Sequence, residues 1–224
     1  MSAEHSDLST AYVTVTLGTT PTANVRAGQE VIEAYASTPS ETPVNFLIRA
    51  RAGSAVASSL LQKQKDQFVL ITGDLILEEK EPAVLVIRTL NDAFQGQFIN
   101  EANITGNVSK TARAAEKSSC ISVAVNRYVK AEGDSKPPSD FFQVRGFGRL
   151  KDRFDKLTLG SLVELSGMVE TRKNKDGNEY IELKTRFLQV HKKSSGGGGG
   201  NPAPKSNAVG MDDSDFLGDD MPFS

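Results

Sequence analysis

The chain has no tryptophan and a single cysteine, Cys120, among its 224 residues. One cysteine excludes an internal disulfide, and nothing else points to an oxidising compartment. Histidine is nearly as scarce, with His5 and His191 near opposite ends of the body. No apolar run approaches the length of a membrane span. The polar start, Met1-Ser-Ala-Glu-His-Ser-Asp7, lacks the charged and apolar regions of a secretion signal. A soluble, cytoplasmic protein without membrane contact is the expectation. Walker motifs, zinc-ligand spacings and the Gly-x-Ser-x-Gly elbow are missing too. Cys120 has no partner base evident in the sequence, and the pairs Glu78-Glu79 and Asp219-Asp220 read as solvated acids. No catalytic residue, metal site or cofactor is therefore expected, and the chain reads as a non-enzyme.

What is present is an uneven distribution of charge. Residues 1–98 hold seven Lys and Arg against eleven Asp and Glu, a net of −4. Residues 99–193 hold eighteen against twelve, a net of +6. Residues 194–224 hold Lys205 against five acids, a net of −4. A polyanion would be held by the basic middle and repelled by the end. Hydrophobic residues make up 38% of the chain, enough for a core across 1–192. The Gly196–Gly200 run and Asn201-Pro-Ala-Pro204 give 193–210 the composition of a flexible linker. Beyond it, 211–224 is acidic and closes on Asp219, Asp220, Met221, Pro222 and Phe223. So short an acidic segment cannot fold alone, and it has the chemistry of a docking peptide. The acids steer toward a basic rim, and Phe223 fills a pocket within it.

The body repeats itself weakly at a spacing of about ninety-five residues. Asn45-Phe-Leu-Ile-Arg-Ala-Arg-Ala52 aligns with Phe141-Phe-Gln-Val-Arg-Gly-Phe-Gly148, and Phe68–Leu75 aligns with Leu162–Val169. In the second copy, alternation and β-branched content predict strands over 104–108, 120–126, 139–148, 162–172 and 179–190. A helix is predicted over Arg149–Leu159, with Leu150, Phe154 and Leu157 on one face and Gly160 stopping it. Five strands with a helix between the third and fourth is the layout of the OB-fold. The first copy fits the same plan, with Ser54–Lys63 as its helix. The fold class expected is all-β: two tandem five-stranded OB-fold barrels, 1–98 and 99–192, plus a disordered tail.

Strand 139–148 carries the clearest functional pattern. Alternation puts Phe141, Gln143, Arg145 and Phe147 on one face, with Arg149 continuing that parity, and Phe142, Val144 and Gly146 on the other. Aromatic rings alternating with guanidinium groups suit stacked bases and phosphates of a single strand. Arg172, Lys173 and Lys175 on the last hairpin could follow a backbone, and Tyr128 beside Arg127 and Lys130 could add a ring. In the first copy, Asn45 and Arg51 replace the two rings and Arg49 matches Arg145. That copy is expected to have kept its barrel and lost much of a strand-binding face.

Ile104-Thr-Gly-Asn-Val108, Ser122-Val-Ala-Val125, Phe147-Gly-Arg-Leu150, Gly160-Ser-Leu-Val-Glu-Leu-Ser-Gly167 and Thr171-Arg-Lys173 occur in the order found in one known family. With the tip Asp219-Asp-Met-Pro-Phe223, they make the chain resemble the bacterial single-stranded DNA-binding protein family. The resemblance places Tyr128, Phe141 and Phe147 at or beside stacking positions, and Arg172 and Lys173 on a DNA-binding hairpin. It implies coating of single-stranded DNA at the nucleoid, and a tip that recruits replication, recombination and repair proteins. It also implies oligomers, and two modules per chain suggest a homodimer presenting four barrels. The chain departs from the family in lacking tryptophan at stacking positions, in Asn174 after the Arg-Lys pair, and in Ser224 following the terminal Phe. Two other readings compete: an RNA-binding OB protein, since only the 2′-OH separates the substrates, and an oligomeric scaffold whose tail recruits partners.

Overall fold

A computed structural model describes residues 8–78, 82–127, 138–175 and 177–191. All of them belong to one unit, Met1–Lys193. The predicted linker, the acidic tip and Tyr128 lie outside the described residues.

The strands of the first half are β1 (Leu8–Leu17), β2 (Thr22–Arg26), β3 (Gln29–Ser37), β4 (Asn45–Arg51), β5 (Phe68–Ile76) and β6 (Ala83–Asp92), with helix α1 (Ala55–Leu61) after β4. The second half has β7 (Asn100–Ala114), β8 (Ser118–Asn126), β9 (Ser139–Phe147), β10 (Leu162–Lys173) and β11 (Glu179–His191), with α2 (Arg149–Phe154) after β9. Their pairing closes two rings. In the first, β1 pairs with β3, β3 with β4, β4 in parallel with β6, β6 with β5, and β5 returns to β1. In the second, β7 pairs with β8, β8 with β9, β9 in parallel with β11, β11 with β10, and β10 returns to β7. Each is a five-stranded barrel with a helix between its third and fourth ring strands, which is the OB-fold plan. Antiparallel pairing of Leu8–Val13 with Asn100–Thr105 joins the rings into one sheet.

The internal repeat extends to the irregularities. The β5–β6 register slips between Thr72 and Gly73, and the β10–β11 register slips between Ser166 and Gly167. A Cβ at Gly73 would run into the carbonyl of Val86, and one at Gly167 into the carbonyl of Lys184. Both barrels thus turn at the same bulge, and both need a residue without a side chain there.

Three details differ from the sequence expectation. The first half carries an additional strand, because Gly18-Thr-Thr-Pro21 interrupts the run that β7 continues without a break. A proline lacks the N–H that a ladder uses. β2 then pairs with β3 through a tight turn at Ala27 and Gly28, both with positive φ. The second helix is shorter than 149–159. After Phe154 the backbone tightens into three-residue bonds, Lys156 N–H to Arg153 and Leu157 N–H to Phe154 at 3.0 Å, while Leu157 stays buried. The first helix is likewise shorter than 54–63, with the Ser54 hydroxyl accepting from the Ala57 N–H at 3.1 Å as its cap.

The core fills both barrels. Val13, Val15, Phe46, Ile48, Leu60 and Ile71 are buried in the first, and Ile104, Ile121, Val144, Phe154, Val163 and Leu165 in the second. Strand alternation supplies this burial directly, one face of each strand pointing inward.

Candidate nucleic-acid interface

β9 presents its two faces as the alternation predicts. Phe142, Val144 and Gly146 point into the barrel, while Phe141 and Phe147 are 56% and 39% exposed. The neighbouring strands complete a platform around them. β8 places Cys120 opposite Arg145, and β11 places Glu182 beside Gln143 and Lys184 beside Arg145.

Glu182 is the centre of this face, with a side chain 0% exposed. The Arg145 guanidinium donates to its two oxygens from Nε at 2.6 Å and Nη2 at 2.8 Å, and from Nη1 to the Ser118 hydroxyl at 3.2 Å. Arg172 lies 3.4 Å from the same carboxylate and 2.7 Å from Glu170, which also meets Lys184 at 3.2 Å. The hydrogen bonds it donates to Glu182 hold the Arg145 guanidinium well above its ordinary range, against the opposing effect of burial. Arg145 is therefore a fixed, planar cation set between the two rings, and Glu182 already occupies much of its donor capacity. Other cations of the second barrel are held less tightly. Arg149 and Lys175 are exposed, and Lys173, 68% exposed, has only a loose contact of 3.6 Å with Glu179. Lys184 also lies 5.8 Å from the centroid of Phe147, within cation–π range.

Cys120 lies on the same face, its sulfur 3.8 Å from the Gln143 side-chain oxygen. Burial pushes its thiol up, and the nearby Glu182 charge adds to the effect. A thiolate is thus disfavoured, which is the opposite of what a nucleophile requires.

Sequence reasoning singled out Phe141, Arg145 and Phe147, which share the outer face of β9, Arg172, which reaches that face through Glu182, and Arg149, Lys173 and Lys175, which are exposed at the start of α2 and around the turn from β10 to β11. It missed Glu182, Lys184 and Tyr180. Their signal was the alternation within Glu179-Tyr-Ile-Glu-Leu-Lys184, but alternation alone does not say which strand lies alongside.

On the first barrel the corresponding face is filled by ion pairs. Glu33, with a side chain 2% exposed, receives Arg49 Nε at 2.6 Å and Arg26 Nε at 3.0 Å. Arg49 also donates from Nη1 and Nη2 to the two oxygens of Glu78, at 2.7 and 3.1 Å. Burial acts to lower the Arg49 guanidinium, but the bonds it donates to Glu78 and Glu33 outweigh it and leave it raised. The bond from Arg49 holds the Glu78 carboxyl below its usual range, against the desolvation that would raise it. Asn45 and Arg51 stand exposed where the second barrel has rings. One ring does appear on this face, from the next strand: Tyr35 is exposed across from Leu47.

The halves meet at a polar clip. The buried Asp140 carboxylate accepts from the Leu77 N–H at 3.0 Å and from Arg127 at 2.7 and 2.9 Å, while Arg127 donates to the Leu77 carbonyl at 2.8 Å. Both backbone groups of one first-half residue are thus held by two side chains of the second half.

No family model and no curated protein matches the sequence. Solved structures do match its fold. The wild-type single-stranded DNA binding protein from Thermus aquaticus superposes with a TM-score of 0.64 at 14% identity, covering 87% of this chain and 98% of that one. A deletion variant of that protein gives 0.61 at 13% identity, covering 84% and 96%. The chain has the OB-fold architecture of these structures across nearly their whole length, in agreement with the resemblance its motifs carry. Among the described residues no helix is long and apolar enough to cross a membrane.

Proposed function

We propose that this chain binds single-stranded DNA without sequence preference and protects it during replication, recombination and repair. The observation that carries the reading is the pair Phe141 and Phe147, exposed on one face of β9 with Arg145 fixed between them. Two rings on one strand can each take a base, and every base has a face to stack. Arg172 reaches this face through Glu182, and the exposed cations Arg149, Lys173 and Lys175 are available to phosphates. The fold shared with a single-stranded DNA binding protein supports the same reading. Burial disfavours the Cys120 thiolate, so this thiol is a poor candidate nucleophile. Residues 1–98 and 99–192 act as separate modules in this reading, the second holding most of the strand.

Fluorescence anisotropy of labelled oligo-dT, duplex DNA and matched RNA tests it. The single DNA strand should bind in preference to the other two. Its affinity should fall steeply as salt rises, because lysine and arginine displace counterions from the backbone. A preference for RNA would move the assignment to RNA, and binding of none would leave the barrels as scaffolds.

The tip Asp219, Asp220, Met221, Pro222 and Phe223 is proposed to dock partner enzymes. Deleting 211–224 should abolish recruitment of such enzymes while oligo-dT affinity holds or rises, since five acids that compete for the basic face are gone. Undiminished recruitment by the truncated chain would refute docking through the tip.

A further inference from the structure

A cleft of about 840 Å³ lies between the halves, next to the β9 platform. Phe141 and Tyr180 line it from the second half, and Asn45, Leu77, Glu78 and Pro82 line it from the first. Its size is in the range that encloses a small organic ligand, and a nucleotide is such a ligand. We propose that this cleft is a nucleobase subsite, so that the first half contributes a wall to strand binding despite its ion-paired face. The proposal rests on the single-strand reading above and extends it to a particular place.

The chemistry of the walls selects a base over a phosphate. The two rings offer stacking surfaces, and Leu77 and Pro82 offer apolar contact. Asn45 and Gln143 carry side-chain amides that both donate and accept, as the edges of every base require. The charged groups lining the cleft are the carboxylates of Glu78 and Glu179, which Arg49 and Lys173 already contact. A phosphate would meet those carboxylates and stay outside, near Arg172 and Lys173. A base would enter while its backbone follows the hairpin.

The cleft is also preformed. Asp140 directly precedes Phe141, and its carboxylate grips Leu77 on the opposite wall. The clip thereby fixes the spacing between a stacking ring and the first half, reducing what binding must order.

The absence of tryptophan gives a clean reporter. Asn45 is exposed, so Asn45→Trp should fold, and its emission should be quenched when oligo-dT is added to the full chain. If the larger ring instead fills the cleft, oligo-dT affinity should drop about fivefold or more, the worth of one stacked base. Val25→Trp, on the exposed β2 hairpin outside the cleft, should show neither effect. An Asn45→Trp protein that binds oligo-dT with unchanged affinity and unquenched emission overturns the subsite and leaves the single-strand reading standing. Failure of the unmodified chain to bind oligo-dT overturns that reading itself.

Discussion

Replacing Phe141 and Phe147 together with alanine is expected to weaken binding of oligo-dT by about thirtyfold or more. Stacking of a base on an aromatic ring is worth roughly 1–3 kcal/mol, so two rings contribute about 2–6 kcal/mol. Both rings are exposed, whereas Phe142 between them in sequence is buried at 2%. The double variant should therefore keep its thermal midpoint, since exposed substitutions seldom change stability by more than about 0.5 kcal/mol. Phe142→Ala makes the contrast: it should unfold easily, because emptying a core site of this size costs about 3–5 kcal/mol. Titration by anisotropy with a melting curve for each variant separates the two effects. Unchanged affinity in the folded double variant would remove the platform and move strand binding to another surface of the barrels. Salt dependence should persist in the double variant, because Arg149, Lys173 and Lys175 remain.

The second large effect is on the fold. Gly167→Ala should destabilise the second barrel by about 1–3 kcal/mol, read as a lower denaturation midpoint. The added methyl would meet the Lys184 carbonyl, a backbone atom held in the β10–β11 ladder, and it cannot swing aside as a side chain would. Gly73→Ala should act alike on the first barrel, where the obstacle is the Val86 carbonyl. Gly177, by contrast, sits in an open turn with positive φ, where substitution costs conformational strain and meets no neighbouring atom. If the halves are separate modules, Gly167→Ala should split unfolding into two transitions. A single transition lowered as a whole would mean that the β1–β7 pairing and the Asp140 clip make them one cooperative unit. No change at all would mean that the bulge can accommodate a methyl group.

Much of the strand pattern could be read directly from the chain. The alternation in 139–147 fixed which residues of β9 face the core, since side chains of a strand must point to opposite sides. The repeat was legible through Thr72-Gly73 and Ser166-Gly167, where two barrels need the same bulge. Helix lengths were overestimated, because Leu157 keeps helical spacing while its backbone has already tightened into turns.

Sequence by itself determined the composition of the two halves, the alternation of the strands and the residue types available to hold a single strand. Only the tertiary structure decided what those residues are free to do. Arg145 reads as a phosphate ligand until β11 brings Glu182, thirty-seven positions away, against it. Arg49 looks like its equal until Glu33 and Glu78 close around it. The walls of the cleft meet where Asp140 holds Leu77 across sixty-three positions of chain. Alternation is a local property of the backbone, fixed by the geometry of successive residues. The partners of a charge depend on which strands lie side by side, and that is set by closing the barrels.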